Sequence, residues 1–91
     1  MSQNRKSLGR LSAPIEVTKA YYKACNFDHQ DIEVLSWIGI TPTGSAYQCN
    51  TYNGKIGKNA NPNQRDAKGC NLKGYTEVES GGALPDWLKW A

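Results

Sequence analysis

The sequence has one histidine, one phenylalanine and one methionine, and no apolar run near the roughly 20 residues that a membrane-spanning helix needs. Each scarcity removes a class of function. With His29 alone, a nucleophile, base and orienting group are hard to assemble, because the common proton carrier near neutral pH is present once. Cys25, Cys49 and Cys70 are odd in number and widely spaced, with no Cys-x-x-Cys pair, so neither a disulfide framework nor a zinc site is expected. There is no phosphate-binding glycine loop of the Gly-x-x-x-x-Gly-Lys or Gly-x-Gly-x-x-Gly kind. Arg5 and Lys6 are followed by no apolar stretch, so no secretion signal is expected and the predicted location is the cytoplasm. The expectation is a non-enzymatic protein without cofactor or metal.

What is present is a 91-residue chain that is 38% hydrophobic, with three Trp and five Tyr. That suits one small domain with its sites on the surface, since a chain of this size buries only about 60–65% of its unfolded surface. Net charge is +3, distributed in blocks. Residues 1–27 hold Arg5, Lys6, Arg10, Lys19 and Lys23 against Glu16, and residues 28–52 hold Asp28, Asp31 and Glu33 with no cation. Residues 53–74 carry Lys55, Lys58, Arg65, Lys68 and Lys73 against Asp66, and the remainder is acidic through Glu77, Glu79 and Asp86 against Lys89. Such blocks give a basic patch to a nearly neutral protein, unless folding disperses them.

Along the chain, residues 1–11 read as a flexible basic arm and 12–91 as one domain. Ser12 is a good helix cap, Pro14 suits a first turn, and Val17, Ala20, Tyr21 and Ala24 recur at i, i+3, i+4 and i+7. This predicts an amphipathic helix at about 13–25, stopped at Asn26. Residues 28–36 read as helix or strand: Asp28 and Asp31 resemble a helix start, whereas Ile32, Val34, Trp37 and Ile38 favour a strand near 33–41. Thr41-Pro42-Thr43-Gly44 predicts a reversal into a second strand at 45–52, with Tyr47, Cys49 and Thr51 on one face and Ala46, Gln48, Asn50 and Tyr52 on the other. Asn53-Gly54 predicts a type I′ hairpin into a third strand from Lys55 to Gly57. A long exposed loop is expected from Lys58 to Asn71, a last strand at Tyr75–Glu79, and a short helix or extended clasp from Leu84 to Trp90. The expected fold class is α+β, one helix packed on an antiparallel sheet of three or four strands.

The candidate binding residues are Lys55, Lys58, Asn59, Asn61, Asn63, Arg65, Lys68 and Lys73, where cations interleave with amides able to meet phosphate, sugar or peptide groups. The competing reading is a solvated linker. A helix-turn-helix over 13–37 is disfavoured, because its recognition helix would carry Asp28, Asp31 and Glu33 and repel phosphate. Tyr47, Tyr52 and Tyr75 are candidates for a base-stacking platform, with core packing the commoner role. Trp87 and Trp90 are expected to complete the core.

A domain this small, with no enzyme motif, an uneven charge map and the polar loop NGKIGKNANPNQRDAKG, resembles in kind the phage-encoded inhibitors of bacterial defence known as anti-CRISPR proteins. The resemblance is one of kind and not of motif. It implies a monomer that occupies a surface of a host protein or ribonucleoprotein, an RNA-guided surveillance complex, and blocks its engagement of target DNA, with contact to RNA phosphate and none to membrane. A pI of 8.8 departs from the acidic members that mimic DNA. The alternative is an autonomous binder of single-stranded DNA or RNA.

Overall fold

The computed structural model describes residues 14–25, 31–57 and 62–91. The expected basic arm, the helix stop at Asn26, the turn at Asp28, and Lys58, Asn59 and Asn61 lie outside the described residues.

Two long strands form the centre. The β-branched and aromatic segment following Glu33 becomes a strand, Val34–Ile40, and pairs antiparallel with a second, Ser45–Tyr52, from Val34 opposite Tyr52 to Ile40 opposite Ala46. Residues 31–33 are not helical: Asp31 is a turn residue at φ +59°, and the chain then leads into the strand at Val34. The reversal between the strands is closed by the Gly44 N–H donating to the Thr41 carbonyl at 3.1 Å, with Gly44 at φ +89°. At the far end Asn53 and Gly54 adopt φ of +53° and +87°, the positive values a type I′ turn requires, and a two-residue strand, Lys55–Ile56, follows.

The α+β expectation is overturned. Where a helix was predicted at 13–25 the chain forms two strands, Ile15–Val17 and Lys19–Ala24, and the described residues contain no helix beyond one 3-10 turn at Ala67–Gly69. In chain order the strands are β1 (Ile15–Val17), β2 (Lys19–Ala24), β3 (Val34–Ile40), β4 (Ser45–Tyr52), β5 (Lys55–Ile56), β6 (Asn63–Asp66), β7 (Thr76–Glu77) and β8 (Leu88–Trp90). The helical spacing was an accident of a crease. At Thr18 the chain leaves one sheet for another, its N–H donating to the Ile40 carbonyl at 2.7 Å, and the alternation shifts by one residue there. Val17, Ala20 and Tyr22 join the core under the ribbon, while Tyr21, which the helical stripe needed, lies on the opposite face of β2 and Ala24 is exposed. Ile15, Val17 and Thr18 are β-branched, a composition that fits strands better than helices.

β2 pairs antiparallel with β3, and β7 with the other edge of β2, giving the order β5-β4-β3-β2-β7. β6 also pairs antiparallel with β4, on the edge it shares with β5. The expected sheet of three or four strands is thus six-stranded. The long loop predicted over 58–71 contains β6 and the 3-10 turn, and the last strand shrinks to Thr76–Glu77. The C-terminal segment takes the extended alternative: β8 runs parallel to β1, with the Ile15 N–H donating to the Trp87 carbonyl and the Ala91 N–H to the Val17 carbonyl, both at 2.9 Å.

The β1–β8 ribbon packs over one face of the sheet. Val17, Ala20, Trp37, Cys49, Trp87 and Leu88 form the core there, and the Tyr22 and Trp37 rings lie 5.3 Å apart. Gly39 permits the approach: a Cβ at that position would sit 2.7 Å from Val17 Cγ1 and 2.8 Å from Leu88 Cδ2. Trp37 Nε1 donates to Thr51 Oγ1 at 3.2 Å inside this core and Trp90 Nε1 to the Gly82 carbonyl at 2.8 Å. Trp87, 1% exposed, leaves its indole N–H without a partner among the described residues.

The other face, called outer below, is partly covered as well. The chain from the 3-10 turn to Tyr75 crosses from the β6 edge to the β7 edge, and Tyr75 reaches Ser36 with an O···O distance of 2.6 Å. Val34, Ser36, Ile38 and Ala46 are buried on this face. No helix among the described residues is long and apolar enough to cross a membrane.

Candidate binding face

The β4 alternation fixes what the outer face presents. Ala46, Gln48, Asn50 and Tyr52 lie outward as the sequence indicated, and Tyr47, Cys49 and Thr51 face the ribbon core. Residues directly opposite one another on paired strands share a face, so the flanking strands add to this row. Lys55 is opposite Tyr52, Asn63 opposite Gln48, and Arg65 opposite Ala46. Three of the eight predicted binding residues, Lys55, Asn63 and Arg65, thereby come together on one face, all exposed.

Lys68 and Lys73 are placed elsewhere. Lys68 sits in the 3-10 turn, whose N-cap is Asp66, with a carboxylate oxygen accepting the Lys68 N–H at 3.0 Å. Lys68 and Arg65 line an open cleft of about 620 Å³ with Thr43, Ser45, Gln64 and Asp66. Asp66 offsets one of the two cations there. Lys73 lies in the crossing segment, where Asn71 Oδ1 accepts its N–H at 3.0 Å, and is followed by Gly74, which lies near the Lys23 side chain. Lys58, Asn59 and Asn61 lie outside the described residues.

A chain of polar side chains ties the outer face together. Asn63 Nδ2 donates to Gln48 Oε1 at 3.4 Å, and Gln48 Nε2 donates to Ser36 Oγ at 2.9 Å and to Asn50 Oδ1 at 3.1 Å. Ser36 continues the chain to Tyr75, over whose ring the Lys23 ammonium lies 4.9 Å from the centroid. Such a network costs little where every member is paired and holds its surface residues in fixed orientation. Gln48 is spent by it: both of its N–H groups and its carbonyl are engaged. Asn50 Nδ2 and Asn63 Oδ1, one a donor and the other an acceptor, have no partner among the described residues.

Tyr52 and Ile32 are the exposed large apolar side chains of the described residues, each 43% exposed. They lie at the same end of the sheet. Tyr52 is opposite Val34, and the ladder continues past that pair, the Asn53 N–H donating to the Glu33 carbonyl and Asn53 Oδ1 accepting the Glu33 N–H, both at 2.8 Å. The three-tyrosine platform does not form: Tyr47 belongs to the core side, Tyr75 is engaged with Ser36 and Lys23, and Tyr52 alone stays open. Gln48 and Asn50 were not singled out from the sequence as binding residues. Their signal was the outward alternation of β4 itself, which places two amides in line with a tyrosine.

Chemistry on the core side is quiet. Burial pushes the Cys49 thiol above its ordinary pKa, a backbone hydrogen bond at Asn50 partly opposes this, and the charge of Asp86 adds to the rise. All three cysteines are unpaired thiols. Among the described residues no group of three or more His, Cys, Asp or Glu is placed to hold a metal ion. No protein-family model matches the chain, and no curated protein and no solved structure matches it either.

Proposed function

We propose that this is a non-enzymatic binding protein, a small inhibitor that sets its β4–β5–β6 face against a bacterial RNA-guided defence complex and so blocks engagement of target DNA. The observation that carries this reading is the row of Lys55, Asn63 and Arg65 along the exposed β4–β5–β6 face, with Tyr52 open at its Lys55 end. The acid in register on that face, Glu77, lies beyond β3 and β2, opposite Tyr21. A face of this kind complements phosphate, because each cation displaces counterions and each amide replaces a water contact. Tyrosine and arginine are also the residues most enriched at binding hot spots. A complex that carries RNA in a protein cradle offers both phosphate and protein surface, and the similarity in kind to anti-CRISPR inhibitors points to it.

The test is titration of the purified protein into a panel of RNA-guided surveillance complexes before target DNA is added. One complex should lose target binding at about one inhibitor per complex, with Lys55→Ala/Arg65→Ala weakening the effect. If no complex is inhibited while free single strands bind tightly, with affinity falling steeply with log salt, the protein is an autonomous nucleic-acid binder and this reading fails.

A further inference from the structure

The Tyr52 corner holds more than charge. On one side of the Tyr52 ring position stands Lys55, directly across the hairpin, and along β4 stand Asn50 and Gln48, followed across the ladder by Asn63 and then Arg65. Gln48, with both amide N–H groups and its carbonyl engaged, orients the two asparagines. Without a partner among the described residues are a donor, Asn50 Nδ2, and an acceptor, Asn63 Oδ1, one on either side of the Gln48 amide. Amide donors and acceptors meet base edges, sugars and phosphates alike, so these groups on either side of Gln48 suit successive nucleotides of one strand. An exposed tyrosine supplies a stacking surface that tolerates any base, and flanking cations track the phosphates on either side.

From this arrangement we propose that the outer row of β4, from Tyr52 to the level of Arg65, is a site for an unpaired strand of a few nucleotides. One base stacks on Tyr52 with its phosphate toward Lys55, and the strand runs along β4 past Asn50 and Asn63 to Arg65, which stands opposite Ala46, about 20 Å from Tyr52 at the rise of a β-strand. The inference rests on the function proposed above and names what that face touches there: RNA or DNA that is not in a duplex. A neutral or basic peptide is disfavoured by the charge, because two cations stand on β5 and β6 and the in-register acid of this face, Glu77, lies beyond β3 and β2. A duplex is disfavoured by the ring, which has no stacked base to receive when both strands are paired.

The experiment is an NMR titration of the full chain with uridine and adenosine 5′-monophosphate, with short oligouridylate and oligothymidylate, and with inorganic phosphate as the control. The expected result is saturable shifts of the Tyr52 ring and of the Asn50 side-chain amide with the nucleotides. The oligomers should bind more tightly than the monomers, and phosphate should reproduce only the shifts near Lys55 and Arg65. Stacking on a single aromatic is expected to make Tyr52→Ala bind about tenfold more weakly, or worse, while Tyr52→Phe keeps the parent affinity. The oligouridylate and oligothymidylate arms show whether the sugar is read. Phosphate giving the same ring shifts as nucleotide, no ring shift with any nucleotide, or parental binding by Tyr52→Ala each overturns the site. The two readings fail separately. Absent ring shifts beside intact inhibition of a complex remove the nucleotide site and leave the inhibitor, whereas clear shifts with no complex inhibited remove the inhibitor and leave the site.

Discussion

Tyr52 and Trp87 make opposite use of aromatic surface, and the difference between them is measurable. Trp87 is 1% exposed under the β1–β8 ribbon, so its truncation leaves a cavity that the surrounding strands cannot fill. Trp87→Ala should cost about 3–5 kcal/mol, the range of large aromatic truncations in cores, read by denaturant unfolding. Tyr52→Ala should stay within about 1 kcal/mol of the parent, as surface substitutions usually do. A Tyr52→Ala loss as large as that of Trp87→Ala would make the corner a structural element and not an open face. Cys49 allows a sharper check. Burial raises its pKa, so below its ordinary value near 9.0 the folded state keeps the thiol neutral, and as pH rises past that value the unfolded chain loses the proton first. Cys49 should therefore be the slowest of the three cysteines to alkylate in the native protein, and its contribution to stability should decline as pH climbs through that value. Mass mapping of alkylated peptides from pH 7 to 10 reads the order directly. Equal rates for Cys25, Cys49 and Cys70 would contradict the burial.

The elements divide into those whose local chemistry is self-sufficient and those held by their partners. The turn at Thr41–Gly44, the Asn53-Gly54 hairpin and the alternation over Ser45–Tyr52 were legible because each depends on a few adjacent residues: positive φ at Gly44, Asn53 and Gly54, and a two-residue period in β4. The β1–β2 pair was not. Its crease at Thr18 puts one extra residue between two runs of alternation, and the sum of two offset periods of two mimics one period of 3.6 over so short a span. β6 was invisible for another reason. Asn63, Gln64, Arg65 and Asp66 are all exposed and polar, so no pattern of burial marks the strand, and its pairing with β4 is carried by backbone bonds. That same exposure is why Asn63 and Arg65 could be picked as binding residues while their neighbours on β4 were not. The ribbon contact on β3 offers the element-scale test. A Cβ at Gly39 would fall within 3 Å of both Val17 and Leu88 side chains, and the branched Val17 has little freedom to retreat. Gly39→Ala should destabilise by about 1–3 kcal/mol through overpacking even though alanine suits a strand as well as glycine does. A neutral result in thermal unfolding would mean that the β1–β8 ribbon can slide outward over the sheet.

Across the whole molecule the question is whether the partner reads overall charge or its placement. The protein carries a net +3, small enough that long-range attraction alone would be weak and easily screened at physiological salt. Two pairs of cations separate the possibilities. Lys55 and Arg65 share the outer face with Tyr52, whereas Lys68 caps the cleft near Asp66 and Lys73 sits in the crossing segment. Replacing either pair by alanine removes two charges and takes the net charge from +3 to +1, so the far field is the same for both variants. All four side chains are exposed, and neither variant should unfold the protein. If binding depends on charge-assisted contacts at the face, Lys55→Ala/Arg65→Ala should lose more than tenfold in affinity, because such contacts are worth about 1.5–3 kcal/mol each when desolvated. Lys68→Ala/Lys73→Ala should lose only a few-fold. The salt dependence should follow the same division, with the slope of log affinity against log salt flattened by the first pair and nearly unchanged by the second. Equal losses in the two variants, with equal slopes, would show that the partner responds to net charge alone. Placement on β5 and β6 would then have no bearing on recognition, and the case for the outer face would fall with it.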